Sequence, residues 1–197
     1  MRRRLAASMI AAGSMLVLAG CTAGPATPAE PRQSSPAPAA SPIPPVKNPR
    51  DVAAMAQRPC ELLTAQQAWQ FGLDLPPEQL GGLLGTKRCK WTTTTADRRI
   101  VRTVDISLFT NNPTLEVAYY QDRNRPFFEL TEISGYPAIV TRPKADLPVC
   151  DIDVKTAERQ SFTVSYDADA FASNPQQACV VGKQVAEAVI ANLPPKR

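Results

Sequence analysis

The residues whose types and spacing say most about chemistry are five cysteines: Cys21, Cys60, Cys89, Cys150 and Cys179. Cys21 directly follows Leu18-Ala19-Gly20, and the other four form two equal intervals, 60 to 89 and 150 to 179. An even cysteine count in an exported chain points to disulfides. Neighbour pairing, Cys60–Cys89 and Cys150–Cys179, is the reading adopted among the connectivities open to four cysteines. A zinc site would need a closely spaced cysteine pair, and a redox site a Cys-x-x-Cys; the chain has neither. It also has no histidine. That removes Ser-His-Asp and Cys-His catalysis, imidazole metal sites, and the side chain most used for proton transfer near neutrality. The expectation is a protein without enzymatic activity, cofactor or metal.

Other residues have chemistry open to them, each with a plainer alternative. Asp151 and Asp153 alternate along one strand and share a face. With Glu129 and Glu132 they are the suspects for carboxylate catalysis on a glycan, although an exposed sheet face accounts for them more simply. Trp91 is expected to pack against a disulfide in the core rather than serve as a ligand platform. Lys87, Arg88, Lys90, Arg98, Arg99 and Arg102 could meet anionic headgroups or wall polymers, and a solvated strand-and-turn face is the simpler reading. Asp167-Ala168-Asp169 lacks the glycine and distal glutamate of a calcium loop. The glycines at 82 and 85, followed by Thr86-Lys87, lack the Gly-Lys-Ser/Thr of a phosphate loop.

These residues are preceded by a segment with the pattern of an export signal. Arg2, Arg3 and Arg4 lead into an apolar run from Leu5 to Ala19, broken by Ser8, Gly13 and Ser14. A basic start followed by an apolar stretch shorter than a membrane span reads as a secretory signal over residues 1–20. The ending Leu18-Ala19-Gly20-Cys21 resembles the lipobox of bacterial lipoproteins. That resemblance implies cleavage before Cys21 and diacylglycerol on its thiol, which would hold the chain on the outer face of a membrane. Residues 21–50 are rich in proline, alanine, serine and threonine and poor in large apolar residues, the composition of an extended tether. Without the three leader arginines the balance is 19 basic to 18 acidic side chains, too even for phosphate-driven nucleic-acid binding.

Residues 51–197 are long enough for one core. Thr64 with Gln67 spells a capping box for a helix that fades by Gly72. A loop spans Pro76 to Gly85. Strands are expected from Cys89 to Thr95 and from Ile100 to Thr110, the latter alternating Val104, Ile106 and Leu108. Asn112-Pro113 and Asn174-Pro175 each read as a helix start, asparagine as cap and proline as first residue. Between those helices lie Glu129 to Ile133, Tyr136 to Thr141, and a hairpin of Cys150 to Lys155 with Ser161 to Tyr166. The last helix carries Ala178, Val181, Val185, Ala188, Val189 and Leu193 on one stripe. This order predicts an α+β fold: an antiparallel sheet with helices packed on one face, braced by two disulfides.

An ordered set of motifs runs through this region: Pro59-Cys60-Glu61-Leu62-Leu63, Cys89-Lys90-Trp91, Gly135-Tyr136-Pro137-Ala138, Cys150-Asp151-Ile152-Asp153-Val154, Asn174-Pro175-x-x-Ala178-Cys179 and Leu193-Pro194. The set resembles the DUF3558 family of actinobacterial lipoproteins. The resemblance implies a lipid-anchored extracytoplasmic protein with no assigned activity or catalytic residues. The functional expectation is a binding or accessory module of the cell envelope, held to the membrane at Cys21 and docking an envelope protein, lipid or wall component. A carrier of a hydrophobic ligand is the alternative, and a carboxylate-dependent hydrolase a more distant one.

Overall fold

The computed structural model describes residues 41–82 and 86–197. The signal segment, Cys21, most of the tether and Gly85 lie outside the described residues. Among the described residues, three α-helices accompany seven strands: α1 (Ala65–Gln70), β1 (Glu78–Gly81), β2 (Lys87–Thr94), β3 (Ile100–Phe109), α2 (Thr114–Asp122), β4 (Phe128–Ile133), β5 (Tyr136–Thr141), β6 (Val149–Ala157), β7 (Gln160–Ala168) and α3 (Gln176–Asn192). The strands form one antiparallel sheet in the order β1-β2-β3-β7-β6-β5-β4. Both disulfides join the expected partners, Cys60 to Cys89 and Cys150 to Cys179, with Cα atoms 5.1 and 5.0 Å apart.

Period-two alternation decides which face is buried. In the β6–β7 hairpin, Cys150 lies opposite Tyr166, Ile152 opposite Val164, and Val154 opposite Phe162. All six are buried, with Val104, Ile106 and Leu108 of β3 and Trp91 of β2 on the same face. The amphipathic stripe of α3 closes over them through Ala178, Val185, Ala186 and Val189. At Gly182 the helix comes so close that an added Cβ would lie 2.5 Å from Ile152 Cδ1 and 3.4 Å from Tyr166 Cβ. The Cys150–Cys179 bond fastens this helix to β6, while Cys60, in a short 3₁₀ turn (Pro59–Leu62) ahead of α1, is bonded to β2.

The α+β class and the sheet are as the sequence predicts, but the helices divide between the two faces. Ile139 lies opposite Asp153, on the face turned away from α3. There it packs with Leu115 and Ala118 of α2, and with Ile43. Glu116 of α2 pairs with Lys155, which is on that same face of β6. The stretch from Ser41 to Arg50, expected as tether, lies on the head. Ile43 is only 4% exposed, Tyr136 Oη donates to the Asn48 carbonyl, and Arg50 bridges to Pro195. The reason is local: Ile43 and Val46 bring apolar surface to an otherwise proline-rich segment.

Capping follows the sequence in one helix and departs from it in two. Thr64 and Gln67 form the reciprocal box. In α2 and α3 the cap position is the proline itself, Pro113 or Pro175, and no side chain caps either helix. Asn174 contributes its backbone carbonyl instead, accepting from Gln177 N at 3.0 Å. Among the described residues no helix is long and apolar enough to cross a membrane. Gly182→Leu should lower unfolding free energy by about 1–3 kcal/mol, because the space it would enter is already filled. Urea denaturation of the oxidised protein measures this.

Candidate functional site

The carboxylates proposed from sequence do not converge. Asp151 and Asp153 sit on the α2 face, within a polar stripe that crosses the central strands. Thr163 donates to Asp153, and Arg88 pairs with Asp105 at 2.7 Å. Glu129 belongs to the opposite face, where Lys183 of α3 holds it at 2.9 Å. Glu132 is exposed on the edge strand. A two-carboxyl cleft joining these residues is therefore not what the sheet builds. Burial, opposed by the Thr163 hydrogen bond, raises Asp153 to about 6; burial also raises Asp151, against the Ser165 hydrogen bond and Arg125.

The surface with the means to bind lies at the other end of the strands from Arg50 and Thr156, around the end of α1. This helix is short, and its one buried residue is Ala68. Trp69 therefore stands 71% exposed. It borders an open groove of about 370 Å³ whose floor and walls include Leu63, Leu73, Leu75, Pro77 and Trp91. Trp91 itself is 1% exposed, so it acts as expected, a core aromatic that also floors the groove.

The helix ends in a left-handed glycine. Gly72 has φ +70°, and Leu73 N donates back to the Ala68 carbonyl at 2.9 Å, the geometry of a Schellman ending. The Gly72 carbonyl accepts from Arg102 Nη1 at 2.8 Å and from Thr93 Oγ1 at 2.5 Å. The positive φ favours glycine at residue 72, and a Cβ there would meet Arg102 Nη1 at 1.9 Å and push the guanidinium aside. On the far side of Gly72 a second hollow of about 440 Å³ opens, lined by Phe71, Arg102, Tyr166, Phe171 and Val181. The rings of Tyr166 and Phe171 stack at 6.3 Å. Burial raises the Tyr166 hydroxyl, with Arg102 acting against it.

The sequence placed Arg102 in a solvated basic face and did not single out Trp69. Of the basic residues grouped there, Arg88 pairs with Asp105, Arg99 pairs with Asp169 and Arg102 turns to α1. A legible signal for Trp69 existed: a tryptophan among Gln66, Gln67 and Gln70 on a helix too short to bury two faces.

Asp153 sets a pH dependence whose sign follows from its direction. Its carboxyl binds a proton more tightly folded than unfolded, so stability is greatest below the ordinary carboxylate range and falls as pH rises through about 6. Asp153→Asn should flatten the melting temperature between pH 4.5 and 7.5 and raise stability at the upper end by about 1–3 kcal/mol. Thermal melts at both pH values check it.

No curated protein and no solved structure matches the chain at a significant level. A family model described as a protein of unknown function, DUF3558, matches residues 16–192. The chain belongs to the DUF3558 family.

Proposed function

We propose that this protein is an envelope lipoprotein, anchored at Cys21 on the extracytoplasmic face, whose folded head is a binding or accessory module. Its docking surface is the α1 corner. The observation that carries the binding reading is Trp69, 71% exposed on the rim of a groove floored by a second tryptophan. Exposed tryptophan is costly to leave in water and is enriched where partners bury it. The anchoring reading rests on Leu18-Ala19-Gly20-Cys21 behind a basic, apolar leader. Two head disulfides suit a compartment where thiols oxidise.

A carrier of an enclosed apolar ligand has less support. The interval between the sheet and α3 is filled by Ile106, Ile152, Val164 and Val185, and Gly182 lets the helix close down on it. The hollows at the α1 corner are surface openings suited to a docked group rather than an engulfed one.

The two halves of this reading separate experimentally. In a host that processes lipoproteins, the full chain should sediment with membranes and Cys21→Ala should appear in the soluble extracytoplasmic fraction; a variant that still sediments contradicts the anchor. A photocrosslinking residue at position 69 should give discrete adducts in intact envelopes, and the same residue at Val117, exposed on α2, should not. Equal labelling from both positions contradicts the docking surface.

A further inference from the structure

The hollow beside Gly72 holds a cation that the fold does not neutralise. Arg102 is on the α3 face of β3, one alternation from the buried Val104 and opposite the buried Ala168, near the exposed end of the strand at Ile100. Among the described residues it has no carboxylate partner: Asp169, the acid nearest in chain to this wall, is bonded to Arg99 at 3.0 Å. Asp167 lies opposite Thr103, whose side chain faces away from that of Arg102. One guanidinium nitrogen donates to the Gly72 carbonyl, the Tyr166 hydroxyl engages the same guanidinium, and the buried Nε is without a partner. Buried donors are almost always satisfied. Around this charge stand the rings of Phe71, Phe171 and Tyr166 and the side chain of Val181, with Gln70 and Gln184 at the border.

We infer that this hollow is a binding site for a small organic carboxylate with an aromatic or alkyl body, the carboxylate meeting Arg102 and the body lying between Phe71 and Phe171. The chemistry is complementary on both counts. A guanidinium forms charge-assisted hydrogen bonds to carboxylates that neutral donors do not match. Aromatic faces gain by covering an apolar body that leaves water. The Schellman ending at Gly72 is part of the device, because its carbonyl fixes where the guanidinium points. The site does not depend on the Cys21 anchor or on the Trp69 groove, so it stands or falls apart from the docking reading.

The capping role of Arg102 toward α1 is the reading this site must be told apart from. Ligand titrations of the full-length protein, followed by NMR, separate them, with sodium benzoate as probe and benzamide as its neutral analogue. Benzoate should give a saturable response centred on residues 71, 102 and 171, with benzamide at least about tenfold weaker, the scale of one hydrogen bond to a charged group. Arg102→Gln removes the charge and should lose benzoate by about tenfold or more. Phe171→Ala leaves Arg102 and its Gly72 bond in place and should also weaken benzoate. Benzamide binding as well as benzoate, unchanged affinity in both variants, or no saturable response from the wild type would each overturn the site. Should Arg102→Gln fail to fold, the benzoate–benzamide comparison and Phe171→Ala still decide.

Discussion

Each of the two disulfides ties a helical segment to the same face of one sheet, and most of the remaining architecture depends on that arrangement. Cys89 and Cys150 both point into the core from strands β2 and β6, with β3 and β7 between them. Cys60 and Cys179 reach them from the turn before α1 and from the first turns of α3. Closing loops of this size restricts the unfolded chain by roughly 3–4 kcal/mol each in the chain-entropy account. For a domain whose net stability is of order 10 kcal/mol, that is a large share. The staples also place particular groups. One fixes α3 where Gly182 can close on Ile152, and the other holds the α1 corner over Trp91, with Gly72 beside Arg102.

The two faces of the sheet solve different problems. Toward α3 the sheet is apolar and packed, and Arg102 lies at the end where the helices run out. Toward α2 it is polar, with carboxylates answered by threonine, serine and arginine on neighbouring strands. A second, smaller apolar cluster sits there under α2 and takes Ile43 from the segment that leads to the N-terminus. The head therefore includes the last residues of what composition alone marks as spacer.

Much of the frame was legible because it follows strict periods. The β6–β7 register could be read from Cys150, Ile152, Val154 against Phe162, Val164, Tyr166, and the equal cysteine intervals gave the pairing. What escaped lacked such a period. Strand β1 follows Pro76-Pro77 and is exposed along most of its length, so no apolar alternation announces it. The face taken by α2 is set by Ile139 and Lys155, residues remote from the helix in sequence. The α1 corner was hidden for the same reason: Trp69, Arg102, Tyr166 and Phe171 come from four elements that only the fold brings together. Local grammar does mark part of it, since a glycine ending a helix of six residues leaves that end open at the surface.

Oxidised cysteine pairs hold the helices on the sheet. Non-reducing peptide mapping by mass spectrometry of the protein isolated from its native host reads those links. Linked peptides joining Cys60 to Cys89 and Cys150 to Cys179, and no others, are expected. Four free thiols, or a linkage that crosses between the two pairs, would contradict that pairing.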